Sequence, residues 1–561
     1  MKIIKSLLPI ALILLFSAFT ILPFLQSGFF PMHDDTQVAR VFEMAKGLTS
    51  GMFPVRWSMD LGYGFGYPIF NFYDPLPYYI GGLIEMIGLN ALLATKLMMV
   101  IGVMLSGVSM YLFAKEFWGK SGGVVSALFY TFAPYHALDI YVRGDVAEFW
   151  AFAFIPLIFY SLLKIHKSGE FNFIAIGALA YAAVIISHNL TALMITPFVL
   201  GFSLLLAFGN RKTGKKLLIP LFLGFVISAF YWLPAVLEMS YTNVSSLITG
   251  GSNFRDHFVC INQLWTSPWG YGGSTKGCVD GLSFMVGKYH LVLALSLFVF
   301  AAIALVFRKY FTRLSVDKLV ILIFAFVGFL ISIFFTLQIS QPIWELVRPM
   351  AFFQYPWRFL LTAVFFASLI SGAAFWILEK YIKKNVVIIL LLIISSCLLI
   401  LVSQKFFIPK NYLYVNSDYY TNTKMLNWTT SKISDEYLSK NFKRPQSENN
   451  VANFSKLNSR SITITNVSLK TQIITLDINA FSATSLTIPL AYFPAWQAEI
   501  DGKRVPAADN AGQVRVNIPQ GQHQLKLEFK QTSIELFADF LSLAGILALF
   551  LGIIQLKKKY E

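Results

Sequence analysis

The chain is poor in charge. Of its 561 residues 13% are Asp, Glu, Lys or Arg, against about 25% in an average soluble domain, while 56% are hydrophobic. That balance excludes an ordinary soluble enzyme. Cysteine is nearly absent, with three in all, and no CxxC or His/Cys spacing marks a structural zinc site. No GxGxxG follows a strand pattern, so no nucleotide-binding fold is signalled. No internal repeat is visible. Acidic residues are few beside basic ones, 29 against 45, for a net charge of +16. In a soluble protein that excess would point to nucleic acid. Here the Lys and Arg stand in short clusters between apolar runs, which is the positive-inside pattern of membrane topology.

What is abundant is long apolar sequence. Many runs exceed about 18 residues, which predicts an all-α polytopic membrane protein. Leu7 to Leu25 follows a basic start and has no small-residue cleavage site after it, so it reads as a retained first helix with its N-terminus inside. The basic clusters at Lys115/Lys120, Lys164/Lys167, Arg211 to Lys216, Arg308 to Lys318, Lys380 to Lys384 and Lys557 to Lys559 mark further inside positions. Between them, spans are expected near 92–115, 121–136, 145–165, 171–187, 190–208, 217–237, 288–308, 318–338, 357–379, 385–403 and 533–554. With the first helix this predicts about twelve crossings. Leu76 to Gly88 is short and would invert the charge pattern if it crossed, so it is assigned to the interface.

This topology gathers polar stretches on the outer face: 28–91, 137–144, 187–189, 238–287, 339–356 and 404–532. The first carries His33, Asp34, Asp35 and Arg56, then a run rich in Gly, Tyr, Phe and Pro. The others carry Arg143, Asp145 and Glu148, then His188 and Asn189, then Gln354, Trp357 and Arg358. Charges at a membrane surface are costly unless paired or used. Cys260 and Cys278 share one outer loop, and an outside location permits their disulfide. Cys397 lies in an apolar run.

Beyond Lys405 the composition turns polar, and from about residue 474 the pattern alternates. Ile474/Leu476/Ile478, Leu486/Ile488/Leu490, Trp496/Ala498/Ile500, Val514/Val516/Ile518 and Leu525/Leu527/Phe529 each keep apolar residues at every second position. Turn pairs such as Asp501-Gly502 separate them. Short alternating strands of this kind predict an extracytoplasmic C-terminal β-sandwich. The expected organisation is a transmembrane domain over 1–403 with outer loops at 28–91 and 238–287, the β domain within 404–532, and a final helix with a basic cytoplasmic tail over 533–561.

These motifs in this order resemble the GT-C superfamily of membrane glycosyltransferases. They are also similar to bacterial YfhO-like proteins and to membrane proteins labelled "6-pyruvoyl-tetrahydropterin synthase related". The residues that carry the likeness are PMHDD at 31–35, GMFPVRW at 51–57, GYGFGYPIFNFYDPLPYYIGG at 62–82, YVRGD at 141–145, SHN at 187–189, QYPWRF at 354–359 and FPAWQAEIDGK at 493–503. No histidine cluster of a soluble pterin enzyme accompanies them. The resemblance implies an inverting transfer of a hexosyl or pentosyl unit from a polyprenyl-phosphate carrier to a glycan, lipid or protein acceptor at the outer face of the cell membrane, and no nucleic-acid partner. It places the general base at Asp34 or Asp35, with Asp34 favoured, and the donor phosphate at Arg56, Arg143 or Arg358. Substrate contacts fall to His33, Tyr67, Asn71, Tyr73, Asp145, Glu148, His188, Asn189, Gln354 and Trp357. A divalent metal is permitted by the sequence and not required by it.

Plainer roles compete with each of these. The acidic pair can cap the helix that starts at TQVARVFEMAKGL. The arginines can hold lipid headgroups, and Asp145 and Glu148 can simply pair with Arg143. His188 can be a buried, hydrogen-bonded histidine, and Trp357 an interfacial anchor. Two other functions also compete. One is a transporter or flippase of lipid-linked glycans, which predicts repeats and paired broken helices at mid-membrane. The other is an inactive scaffold whose β domain binds glycans.

Overall fold

The computed structural model describes residues 2–209, 214–244 and 252–560; the expected inside positions Arg211 and Lys212 lie outside the described residues. The order of the main elements is α1 (Lys2–Ser17), α2 (Gln37–Thr49), α3 (Leu76–Met86), α4 (Ala91–Thr131), α5 (Val146–Ser168), α6 (Phe171–Ser187), α7 (Asn189–Gly209), α8 (Ile219–Ile227), α9 (Ala229–Leu237), α10 (Lys288–Val306), α11 (Val316–Thr336), α12 (Leu360–Tyr381), α13 (Asn385–Ser403) and α14 (Ser533–Tyr560).

Among the described residues, eight helices are long and apolar enough to cross a membrane. The first of them, α4, is a hairpin. At Gly119 the backbone takes φ +76°, and the chain returns on itself. A Cβ on Gly107 would lie 3.0 Å from Thr131, and one on Gly123 would lie 3.0 Å from Tyr111. Such contacts are impossible along one straight helix rising about 1.5 Å per residue. Beside them stand the shorter apolar helices α1 and α6 and the bent pair α8–α9, so each of the twelve expected segments falls on apolar helix.

The segment expected as one span over 217–237 is broken, with α8 and α9 meeting at 64°. The Ser228 hydroxyl donates to the Gly224 carbonyl at 2.9 Å, and the Phe230 amide leaves the ladder for Ser542 Oγ on α14 at 2.7 Å. A hydroxyl inserted in the ladder is a recognised cause of a helix bend. The α3 segment is a short helix with one side on α2: Cβ atoms at Gly81 and Gly82 would meet Val41 and Met44. Its other side exposes Leu83 and Met86.

The C-terminal strands are β1 (Ile462–Leu469), β2 (Ile473–Ala480), β3 (Thr484–Ala491), β4 (Trp496–Ile500), β5 (Lys503–Val505), β6 (Ala508–Asn510), β7 (Gln513–Ile518) and β8 (Gly521–Phe529). They form a five-stranded antiparallel sheet in the order β1-β2-β8-β4-β5 and a three-stranded one in the order β3-β7-β6. The alternating apolar positions all point inward: Ile474, Leu476, Leu525, Leu527, Ile488 and Val514 are fully buried. The two sheets share one core with the loop that follows α2. Trp57 meets Trp496 edge-on at 5.4 Å and Phe529 at 5.5 Å, and the Ala491 amide donates to the Phe65 carbonyl at 2.7 Å. The aromatic run of the first polar stretch is therefore largely the packing surface between helices and sandwich.

Candidate active site

The centre of the site is a turn between the α4 hairpin and α5. Asp139–Arg143 is a single π-helical turn, Gly144 follows in the left-handed region at φ +66°, and Asp145 caps α5 by accepting from the Glu148 amide at 3.0 Å. The i,i+4 spacing brings Asp139 onto Arg143. The same guanidinium donates to Asp145 at 2.6 Å, to Glu148 at 3.0 Å and to the Tyr135 hydroxyl at 3.2 Å. Its flat face lies 4.6 Å from the centre of the Trp357 ring. Arg143 is thus buried and saturated, as a buried charge must be.

Arg358 reaches the same carboxylates from the turn that opens α12, and holds them more loosely. It stands 3.4 Å from Asp145 and 3.5 Å from Glu148, and 3.3 Å from His188 Nε2. Its Nε is buried without a hydrogen-bond partner. His188, at the break between α6 and α7, turns Nδ1 to the Thr191 hydroxyl at 2.7 Å. Burial pushes its pKa down to about 4, so the imidazole is neutral near pH 7. Burial pushes the Asp145 carboxyl up, but the Arg143 and Arg358 charges outweigh it and hold Asp145 below the usual carboxylate range.

The acidic loop lies against this turn. The His33 amide donates to the Val142 carbonyl and the Asp34 amide to the Arg143 carbonyl, both at 2.9 Å. Gly144 makes the approach possible, since a Cβ there would fall 2.2 Å from the Met32 sulfur. Gln37 fixes the loop from α2, donating to the Gly144 carbonyl at 2.7 Å and to the Asp34 carbonyl at 3.0 Å. Neither carboxylate caps α2, whose N-cap position is Thr36 with no side-chain bond. The Asp34 and Asp35 side chains are half-buried and accept no hydrogen bond from the described residues. Their surroundings differ. Burial and the Asp145 charge push Asp34 above the usual range, while Arg40, Arg143 and Arg358 pull it back. Asp35 is pushed up to about 6 by burial alone. Asp34 therefore lies within electrostatic reach of the arginines.

A cover lies over the cluster. Cys260 and Cys278 are joined by a disulfide, Cα atoms 5.6 Å apart. The loop they close carries Ser274, which accepts from Trp357 Nε1 at 3.1 Å and bonds His257 at 2.8 Å. It also carries Tyr271, whose carbonyl meets His33 Nε2 at 3.1 Å.

The structure gathers Asp34, Arg143, Asp145, Glu148, His188, Trp357 and Arg358, with His33 at the rim. Tyr73 joins them through Arg40, whose guanidinium sits 4.0 Å from its ring. Other expected residues stand elsewhere. Arg56 is 2% exposed and bound to Asp539 at 2.6 Å, with Glu535 at 4.0 Å, both on α14. Asn71 links Arg56 at 2.8 Å to Glu535 at 2.5 Å. These contacts tie the final helix to the first polar stretch. Tyr67 is buried and donates to the Ser434 carbonyl at 3.2 Å. Asn189 donates its amide to Asp74 at 3.0 Å, and Gln354 closes the 348–353 turn at φ +63°. Residues not singled out in the sequence also contribute: Asp139, Tyr135, Arg40 and Asp74. The Asp139/Arg143 spacing was a visible signal for the first. Arg40 and Asp74 depend on distant partners, among them Ser434 and Tyr231.

Asp145, Glu148 and His188 each offer one ligand atom within 4.8 Å of the others, a donor set that suits a divalent ion in type. In position they do not fit one, because Arg143 and Arg358 direct guanidinium groups at the same atoms.

Comparison with known proteins agrees with the membrane reading. The chain is 26% identical over 249 residues to a protein of Lactococcus lactis subsp. cremoris described only as uncharacterized, which covers 42% of this chain and 41% of that one. The chain thus spans about two fifths of that relative's length. Two crystal structures of the Archaeoglobus fulgidus oligosaccharyltransferase share 12% identity with it. The apo form has a TM-score of 0.42 over 78% of this chain and 57% of that one. The form tethered with an acceptor peptide containing the NVT sequon has 0.43 over 79% and 57%. At those scores the likeness carries no argument about activity. Residues 70–249 match the family model described as 6-pyruvoyl-tetrahydropterin synthase related domain, membrane protein, which is one of the resemblances its motifs imply.

Proposed function

We propose that the protein is a membrane glycosyltransferase that moves a sugar from a polyprenyl-phosphate carrier to an acceptor hydroxyl, with Asp34 as general base. One observation carries the reading. Every other acid around Arg143 is held by a guanidinium, while the half-buried Asp34 carboxylate beside them is unbonded. A free carboxylate of raised pKa next to cations is what base catalysis at an anion-leaving centre requires. Asp34 takes the acceptor hydroxyl's proton as its oxygen bonds the anomeric carbon. The bond from that carbon to the phosphate oxygen breaks on the opposite face, giving inversion. The electron pair leaves on the lipid phosphate, to which Arg358 offers its Nε, held at 3.5 Å from Glu148 without a hydrogen bond. Arg143 orients the acids around Arg358, and Trp357 and Tyr73 bound the space.

A transporter predicts broken helices in paired positions. Among the described residues one bent pair occurs, α8–α9, so the enzyme reading is preferred. The site is assigned to the outer face from the basic clusters. A single cysteine introduced at position 450 should react with an impermeant reagent from outside, and one at 313 should not. The activity test is transfer from labelled polyprenyl-phosphate sugars in membranes, in which Asp34→Asn should remove the product while Asp35→Asn keeps it.

A further inference from the structure

Four arginines are buried among the described residues: Arg40, Arg56, Arg143 and Arg358. Arg56, Arg143 and Arg358 each stand on carboxylates. Arg40 does not. It is 3% exposed, and among the described residues no carboxylate pairs with it. It donates to the Tyr78 hydroxyl at 3.2 Å and to the Ser434 hydroxyl at 2.9 Å, and its Nε is buried without a hydrogen-bond partner. Its guanidinium lies 4.0 Å from the centre of the Tyr73 ring. Glu436 is linked to it through the Ser434 hydroxyl, which donates to Glu436 Oε1 at 3.0 Å. A buried charge is costly unless it is paired, and a tyrosine face with two neutral hydroxyls offsets part of that cost. A buried polar atom without a partner calls for an explanation. An anion brought from outside the chain supplies one.

Arg40 is tied to the acidic loop. The Tyr78 hydroxyl donates to Gln37 Oε1 at 2.7 Å, and Gln37 Nε2 donates to the Asp34 carbonyl at 3.0 Å. Asp34 lies within electrostatic reach of both Arg40 and Arg358. The two guanidinium groups share that acid and no hydrogen-bond partner, since Arg358 stands on Asp145, Glu148 and His188. The place beside Arg40 is not sealed. Tyr73 is half-buried, and its hydroxyl makes no hydrogen bond among the described residues. In the transfer proposed above, Arg358 takes the donor phosphate and Asp34 takes the acceptor's proton. A second cation beside Asp34 then meets the acceptor.

We propose that Arg40, with Tyr73 beside it, binds an oxyanion carried by the acceptor, a carboxylate or a phosphate, so that the acceptor is an acidic molecule. The role rests on the glycosyltransferase reading, while the binding is tested without transfer. The full chain, purified in detergent, is titrated by calorimetry with methyl glucuronide and glycerol 3-phosphate, and with their neutral counterparts methyl glucoside and glycerol. An acidic probe should bind saturably and the neutral ones should not. Arg40→Gln should weaken that binding roughly tenfold by removing a charge-assisted contact. Arg40→Lys should weaken it less, because it keeps the charge and loses the fork. Saturating polyprenyl phosphate should leave the acidic probe's affinity unchanged.

Displacement of the acidic probe by polyprenyl phosphate would assign the anion to the donor and overturn the proposal. So would equal binding of acidic and neutral probes, or binding lost in Arg358→Lys and kept in Arg40→Gln. An arginine that only supports Tyr78 and Ser434 would lower the melting temperature of Arg40→Gln and leave the acidic preference intact, which also overturns it. Where Arg40→Gln gives no folded protein, Arg40→Lys decides, and native affinity in that variant counts against the proposal. Intact transfer in Asp34→Asn, with acidic binding that depends on Arg40, overturns the general base and leaves the anion seat standing.

Discussion

The Asp34 amide donates to the Arg143 carbonyl at 2.9 Å, so the loop carrying the free acid is held backbone to backbone on the turn carrying the buried arginine. The acid's position thus depends on main-chain bonds and on Gly144 rather than on its own side chain. Replacing the carboxylate by an amide changes its chemistry and little else.

Arg143 and Arg358 should respond differently to substitution. Arg143→Ala leaves Asp139, Asp145 and Glu148 buried without their shared cation, a loss of about 3–5 kcal/mol for a broken buried pair. Folded yield should collapse. Arg358→Lys keeps a charge but loses the fork geometry, so the protein should fold and bind polyprenyl phosphate roughly tenfold more weakly. Size-exclusion recovery and lipid-binding titration separate the two effects.

Arg56 should matter for assembly and not for the donor. Its partners Asp539 and Glu535 lie on α14. Arg56→Ala should lower the melting temperature, and pairing it with Asp539→Asn should recover part of the loss, a coupling of about 1–3 kcal/mol. Donor affinity of the folded fraction should not change. A selective fall in donor affinity would return Arg56 to the phosphate site.

The Cys260–Cys278 bond should anchor the cover. It closes a loop of sequence separation 18, worth about 3 kcal/mol in the chain-entropy picture. Replacing both cysteines by serine should raise amide exchange across 261–286 while leaving 141–145 protected. Unchanged exchange in the loop would show that its other contacts suffice.

Asp35 sets a pH dependence. Its pKa rises from 3.8 to about 6 in the folded state, so the folded form favours the proton. Stability from this group is present below about pH 4 and is lost as pH rises through 6. Asp35→Asn should therefore melt higher than the native protein at pH 7, by an amount on the order of 2 kcal/mol after allowing for solvent screening, and equally at pH 4. An advantage that persists at pH 4 would rule out ionisation as its cause.

The crossings were legible because lipid demands about 20 apolar residues per span whatever the neighbours do. The sandwich was legible because a half-buried strand alternates, as Ile474, Leu476 and Ile478 do. The α8–α9 bend was not, because the Ser228 back-bond that starts it is common in straight helices and the contact that joins it, to Ser542, is 312 residues from Phe230. The pairing of Arg56 was hidden for the same reason: its partner Asp539 is 483 residues away, and no local pattern announces it. Arg143, Asp145 and Glu148 stood out because charges between apolar runs are costly and few. Asp74 met the same test but was hidden within the aromatic run.

The most direct test of Asp34 as the general base is the transfer rate of Asp34→Asn, measured in membranes with labelled polyprenyl-phosphate sugars and normalised to folded protein. The expected result is a fall of about 10²- to 10⁴-fold or more, with lipid-phosphate binding and melting temperature close to those of the native protein. Transfer at the native rate would contradict it.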